Sequence, residues 1–178
     1  MRRISKPISL GGVVVGGGAP VTVQSMTNTD TRDAQATIRQ ILALEEAGCE
    51  IIRVAVPDRV AAEALSAIKQ GIHIPLVADI HFDYRLALAA LDAGVDGLRL
   101  NPGNIGSEER VQQVVLKAKE HQVPIRIGVN SGSLPKDLDE DPALSIVDKM
   151  VAGALRHVKI LEDLDFEWIK ISVKSFDV

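Results

Sequence analysis

The chain has 178 residues, 46% hydrophobic and 25% charged, with a formal net charge of −4. That size and balance describe one globular domain and argue against a disordered, fibrous or nucleic-acid-binding chain. Cys49 is the only cysteine and no apolar run reaches the length of a membrane span, which excludes an internal disulfide, a cysteine-built metal site and a transmembrane helix.

The amino-terminal MRRISKPISL runs into glycines and not into a signal-peptide core, which implies a cytoplasmic, soluble protein. Residues 4–23 read as a β-hairpin, ISL and VVV joined by Gly11-Gly12, with a second glycine turn at Gly16-Gly17-Gly18. Three glycines in a row invite comparison with a dinucleotide-binding loop, but no helical pattern opens after them. A regular alternation follows. Strands are expected at Val21–Thr27, Ile51–Val56, Pro75–Ile80, Gly97–Asn101, Pro124–Asn130 and Glu167–Lys174. Helices between them should start at Asp30 or Thr31, Asp58, Asp83, Ser107 and Asp141-Pro142, the last running through Leu161. Ala47–Val54 and Ala93–Leu100 echo one another, each leaving a helix and entering a strand. With aromatics at 3%, the core must be aliphatic, as suits parallel strands covered by helices. The fold class is α/β: a (β/α)8 TIM-type barrel, truncated after about six βα units, with an N-terminal β-hairpin.

Side chains alternate along a strand, so each strand divides into two faces. Ile52, Val54 and Val56 oppose Arg53 and Ala55; Leu98 and Leu100 oppose Arg99 and Asn101. Ile125, Ile127 and Val129 oppose Arg126, Gly128 and Asn130, and Ile169, Ile171 and Val173 oppose Lys170, Ser172 and Lys174. Asp79 and His81 lie opposite Ala78 and Ile80. If the apolar faces pack on helices, Arg53, Arg99, Arg126 and Lys170 converge inside the barrel, with Asn101, Asn130 and Ser172 towards its C-terminal rim. Several cations around one carboxylate, Asp79, call for an anionic ligand, and arginine's fork suits phosphate oxygens. Two loops could serve it. Asn101-Pro102-Gly103-Asn104-Ile105-Gly106 can turn backbone N–H groups towards a phosphate, and the stretch after Asn130 could form a lid. His81 is a candidate acid, base or donor, whereas His73, His121 and His157 read as surface or packing residues. Cys49 reads as a small buried residue.

Six segments carry a resemblance over nearly the whole chain: VQSMTNTDT (Val23–Thr31), RVAVPD (Arg53–Asp58), ADIHFD (Ala78–Asp83), LRLNPGNIG (Leu98–Gly106), RIGVNSGSL (Arg126–Leu134) and IKISVKS (Ile169–Ser175). In this order and spacing the chain resembles the 4-hydroxy-3-methylbut-2-enyl diphosphate synthase family of the methylerythritol phosphate route. The resemblance implies an oxidoreductase of isoprenoid biosynthesis that opens 2-C-methyl-D-erythritol 2,4-cyclodiphosphate and removes a hydroxyl. Flavodoxin or ferredoxin would supply the electrons. It also implies a homodimer whose separate C-terminal domain holds a 4Fe–4S cluster. The chain ends at Val178 without cluster ligands, so no cofactor and no turnover are expected of these residues alone. Arg53, Arg99, Asn101, Arg126, Asn130, Lys170 and Ser172 are then expected to hold the cyclic diphosphate. Asp79 and His81 would meet substrate hydroxyls or move a proton. A pterin-binding barrel of the dihydropteroate type and a catalytically inert phosphate-binding fragment are the alternatives. The first and sixth strands would be open edges, inviting self-association.

Overall fold

Gly11 and Gly12 take φ of +52° and +93°, values that side chains with a Cβ resist, and so close a two-residue turn. This turn joins β1 (Ile8–Leu10) to β2 (Val13–Val15) in an antiparallel pair, with Ile8 opposite Val15 and Leu10 opposite Val13. Gly16, Gly17 and Gly18 also have positive φ, and Ala19 N donates back to the Gly16 carbonyl at 3.0 Å, as in a turn. The computed structural model describes residues 4–101, 104–105 and 107–175.

Six parallel strands follow, each separated from the next by helix: β3 (Gln24–Met26), α1 (Ala34–Glu46), β4 (Ile51–Ala55), α2 (Arg59–Gln70), β5 (Leu76–Asp79), α3 (Tyr84–Asp92), β6 (Gly97–Leu100), α4 (Glu108–Glu120), β7 (Ile125–Asn130), the short α5 (Lys136–Asp139), α6 (Ile146–Glu162) and β8 (Ile169–Lys174). The strands lie side by side in chain order, β3 to β8. A doubly wound sheet would reverse that order at a switch point; an unreversed order is that of a barrel wall. Lys170 Nζ on β8 lies 3.4 Å from Gln24 Oε1 on β3, so the sheet curls until its two outer strands face each other across the interior.

Local signals place most boundaries. Asp58 and Asp83 cap α2 and α3 by accepting from Ala61 N and Arg85 N. The repeated Ala-Gly steps are equivalent: Ala47 and Ala93 are C-caps, followed by Gly48 at φ +94° and Gly94 at φ +82°. Three boundaries differ from expectation. The carboxylate of Asp30 binds Arg32, and α1 is capped by Asp33, which accepts from Ala36 N. Asp141 caps only a turn, accepting from Ala143 N at 2.8 Å; α6 begins after Ser145, where Ser145 and Asp148 form a reciprocal capping box. The first barrel strand has three residues, with Val21 and Val23 left exposed before it.

Ile52, Val54, Leu98, Leu100, Ile125 and Ile127 are buried in one aliphatic core with Leu65, Ile68, Leu91 and Val114 from the helices. The opposite face forms layers. At the bottom, Ile8 and Leu10 of the hairpin pack on Ile51 and Val77, and a Cβ on Gly97 would stand 2.5 Å from Leu10 Cδ2. The hairpin thus plugs the N-terminal mouth, leaving a void of only about 10 Å³. At the other limit of the arc, Val147, Val151 and Leu155 of α6 and Ile171 and Val173 of β8 are exposed.

His157 is buried on α6, and its Nδ1 has no hydrogen-bond partner among the described residues. Burial first, then the charge of Arg156, lowers its pKa from the ordinary value. The unfolded chain therefore binds this proton at higher pH than the folded one. Stability should be undiminished above the unfolded value of about 6.5 and decline as pH falls through it. We expect urea midpoints to fall between neutral and mildly acidic pH, with a shallower slope for His157→Gln; identical slopes would remove His157 as the cause. Leu10→Ala should cost about 2–5 kcal/mol in the same unfolding assay, the range for a buried leucine truncated to a cavity.

Candidate anion-binding site

One pleat above the plug, the inward positions turn from aliphatic to charged. Asp79 pairs in register with Arg99, Arg99 with Arg126, and Arg126 with Lys170, so four adjacent strands contribute one row of charges. Arg53 sits one pleat lower, opposite Val77, and reaches up to the same row. Asp79 is the hub. Its Oδ1 accepts from Arg99 Nη1 at 3.0 Å, its Oδ2 lies 3.5 Å from Arg53 Nε, and His81 Nε2 is 3.2 Å from Oδ1. The carboxyl side chain is 4% exposed and the His81 ring 54%, so the imidazole bridges a buried charge to the open rim.

The remaining cations have no such partner. Arg126 is half-buried with no carboxylate at ion-pair distance among the described residues, and its buried Nε has no hydrogen-bond acceptor; the Nε of Arg53 is buried too, with Asp79 Oδ2 at ion-pair distance but no hydrogen bond. Burial, then repulsion from Arg53 and Arg99, lowers the Arg126 pKa, with Asp79 pulling the other way; a guanidinium stays charged regardless. Lys170 is lowered by burial and then by Arg126. Four cations thus stand against one carboxylate in a partly desolvated wall, around a cavity of about 540 Å³ that Gln24, Met26, Arg53, Arg126 and Lys170 help to line. That volume suits a small ligand, and the buried Arg126 Nε–H calls for an acceptor.

The rim residues are less uniform. Asn101 follows β6 and Asn130 ends β7, both half-buried. Ser172 Oγ donates, at 3.4 Å, to the Ile127 carbonyl on the neighbouring strand, leaving its lone pairs for a ligand. Of the turn after β6, Pro102, Gly103 and Gly106 lie outside the described residues; Asn104 N donates to the Asn101 carbonyl at 2.9 Å and Ile105 is buried. The stretch after Asn130 is built and not bare loop: a 3-10 turn at Ser131–Ser133 leads to α5, where Leu138 is buried and Asp137 pairs with Arg156 on α6. Cys49 is buried between α1 and β4, its thiol donating to the Ile51 carbonyl at 3.1 Å.

Three contributors escaped the sequence reading. Gly128 leaves the space that the Arg99 guanidinium fills, since a Cβ there would stand 2.7 Å from Arg99 Nε and Nη2. Gln24 receives Lys170, and the Met26 sulfur lies 3.1 Å from Arg53 Nη2. The two-residue period of β3 places Gln24 and Met26 on one face, which is the signal that could have found them.

A family model described as the GcpE TIM-barrel domain matches residues 5–178. The 4-hydroxy-3-methylbut-2-en-1-yl diphosphate synthase (flavodoxin) of Dehalococcoides mccartyi is 65% identical over 99% of this chain and 50% of its own length. The protein of the same name from Geobacter sulfurreducens is 58% identical over 100% of this chain and 50% of its own. The chain thus spans about half the length of these curated relatives. Among solved structures, the dihydropteroate synthase of Yersinia pestis aligns with TM-score 0.68 at 11% identity, covering 93% of this chain and 61% of that one. A truncated 3-deoxy-D-arabino-heptulosonate 7-phosphate synthase from Thermotoga maritima aligns with TM-score 0.62 at 12% identity, over 97% and 59%. At such identities the two structures speak for the barrel fold alone. The sequence match extends from the residue after Ile4 to the last residue and includes every strand of the charged row, and on that basis the chain belongs to the GcpE TIM-barrel domain family.

Proposed function

We propose that residues 1–178 form the substrate-binding barrel of a 4-hydroxy-3-methylbut-2-en-1-yl diphosphate synthase, and that the charged row holds the diphosphate of 2-C-methyl-D-erythritol 2,4-cyclodiphosphate. The observation that carries this reading is the half-buried Arg126, whose Nε has no acceptor and which no carboxylate pairs among the described residues, in a wall with four cations and one carboxylate. Arg126 and Lys170 offer the unsatisfied positive charge, and Arg53 and Arg99 are shared between the ligand and Asp79. Asn101, Asn130 and Ser172 supply hydrogen bonds at the rim, with His81 and Asp79 towards the substrate hydroxyls. As a ring C–O bond breaks, negative charge grows on the phosphate oxygen. Fixed cations in a partly desolvated wall stabilise that charge without reorganising.

The reductive part of the reaction belongs elsewhere in the parent protein. Among the described residues, no group of His, Cys, Asp and Glu is arranged to hold a metal, and the one thiol is buried and committed to a backbone carbonyl. These residues do not fit a 4Fe–4S cluster, which needs several thiolates. The cluster and its flavodoxin or ferredoxin donor therefore fall to the half of the relatives' length that this chain does not span, in a cytoplasmic, homodimeric enzyme. The same half would supply the two βα units that close the barrel. No helix of the described residues is long and apolar enough to cross a membrane.

Binding of the cyclic diphosphate, measured by titration calorimetry, should weaken as salt rises. Arg126→Ala should lower its affinity by about 1–3 kcal/mol, the loss expected when a charged group loses its hydrogen-bond partner. Affinity that ignores both salt and the substitution would refute the convergence of these cations on the ligand. A second expectation follows from the exposed face of α6 and β8. The 178-residue chain by itself should scatter light as a species heavier than a monomer, and Val151→Lys with Leu155→Lys should shift it towards monomer. A concentration-independent monomer before substitution would show that this face is stable in water.

A further inference from the structure

The lysines divide by what holds them: Lys119 and Lys149 donate to the backbone carbonyls of Leu164 and Asp139, Lys170 lies in the charged row, and four others face carboxylates. Lys6, Lys69, Lys117 and Lys159 each face a carboxylate, of Glu167, Asp96, Asp92 and Asp163 respectively. Such a partner stabilises the ammonium form and suppresses its nucleophilicity. Lys170 has no carboxylate at ion-pair distance among the described residues; its neighbour is the neutral Gln24 carbonyl at 3.4 Å. It stands beside Arg126 in the strand register, where burial and that guanidinium both oppose its charge. A neutral amine is the form that attacks acyl carbon. Its surroundings are an open cavity of about 540 Å³ that Arg53 and Arg126 also line, and the buried Nε of Arg126 beside it has no acceptor.

We propose that Lys170 is a covalent modification site, acylated by small acyl phosphates whose phosphate is seated on Arg126 and Arg53 while the amine attacks the acyl carbon. The N–C bond forms as the C–O bond to phosphate breaks. Inorganic phosphate leaves with that electron pair, and the proton released by the nitrogen passes to phosphate or solvent. No oxidant or reductant is needed. Seating the phosphate turns a slow encounter into a positioned one, which is the source of the selectivity. The product is a neutral amide, so the row loses one cation and the anion site is weakened. The modification is thus an inhibitory input that reads the supply of activated acyl groups. It rests on the anion-binding reading of this site and extends it to regulation.

The test treats the 178-residue chain with acetyl phosphate or with acetic anhydride, which carries no phosphate, and follows each lysine by peptide mass spectrometry. The ratio of labelling at Lys170 to that at the exposed Lys159 should be on the order of tenfold higher with acetyl phosphate than with the anhydride, a modest return for a positioned reactant. Excess pyrophosphate should abolish that preference, and Arg126→Ala should reduce it while leaving Lys159 labelling as before. The pyrophosphate arm uses the unaltered chain, so it decides even if the variant folds poorly. Equal ratios for the two reagents, or a preference that pyrophosphate leaves untouched, overturn the proposal. Calorimetry with pyrophosphate separates the two levels. Binding without selective labelling removes the acylation and keeps the anion site; neither binding nor labelling removes both.

Discussion

Placing four cations on the inner wall of one sheet around a single carboxylate sets the terms for the rest of the molecule. Each charge taken from water loses hydration that a neighbour must replace, and like charges at adjacent strand positions add repulsion. Asp79 offsets part of this by contacting Arg53, Arg99 and His81 at once. It cannot reach Arg126 and Lys170, which lie one and two strands beyond Arg99 in the same row. The wall is therefore polarised. Towards β5 the cations are compensated; towards β8 they are not. A ligand with an anionic end and a hydroxylated end meets two chemically different halves, which gives it an orientation before any single contact is considered.

The layers beneath explain how such a wall is tolerated. Inward positions run from Ile51, Val77 and Gly97 at the bottom to the charged row and then to polar groups at the rim. The hairpin closes the aliphatic end: Leu10 enters the space that Gly97 leaves by having no side chain. Water is thus kept from the sheet's lower half, while the charged row keeps access to solvent from above and from the side. On the outer face, the strands meet helices through a layer of buried, mostly aliphatic side chains. Stability resides there and in the plug, which leaves the inner row free to be unfavourable.

Alternation along single strands was enough to find the converging cations, because burial of one face fixes the other. It could not supply the register between strands, and register decides who touches whom. That Arg53 lies a pleat below Asp79 yet reaches it, and that Gly128 makes room for Arg99, are facts of neighbouring strands. Helix starts show a similar limit. Asp30, Asp33, Asp141 and Ser145 are all competent caps, and the choice between them depends on which carboxylate is already engaged. Asp30 is held by Arg32, and Ser145 has Asp148 three residues on to complete a reciprocal box. The resemblance to a synthase family was legible in six separate motifs, whereas the packing of the stretch after Asn130 by Leu138 and Asp137 was not.

The distribution of arginine and lysine along the row follows the same logic. A guanidinium has five N–H donors in a plane and can serve a protein carboxylate and a ligand oxygen together. Arg53 and Arg99, next to Asp79, are in the position where that dual use is open to a guanidinium. Lys170, furthest from the carboxylate, has a compact charge that one acceptor can satisfy, and its flexible stem carries it across to Gln24 on the first barrel strand. Exchanging the two residue types would therefore fail in opposite ways. Lysine at position 99 would keep the charge and lose the spare donors that the guanidinium holds beyond its contact with Asp79. Arginine at position 170 would keep the anion site charged but bring a bulkier head, with more donors than Gln24 can accept, into the gap between β3 and β8. The cations of the row carry the same charge, but their positions are not interchangeable.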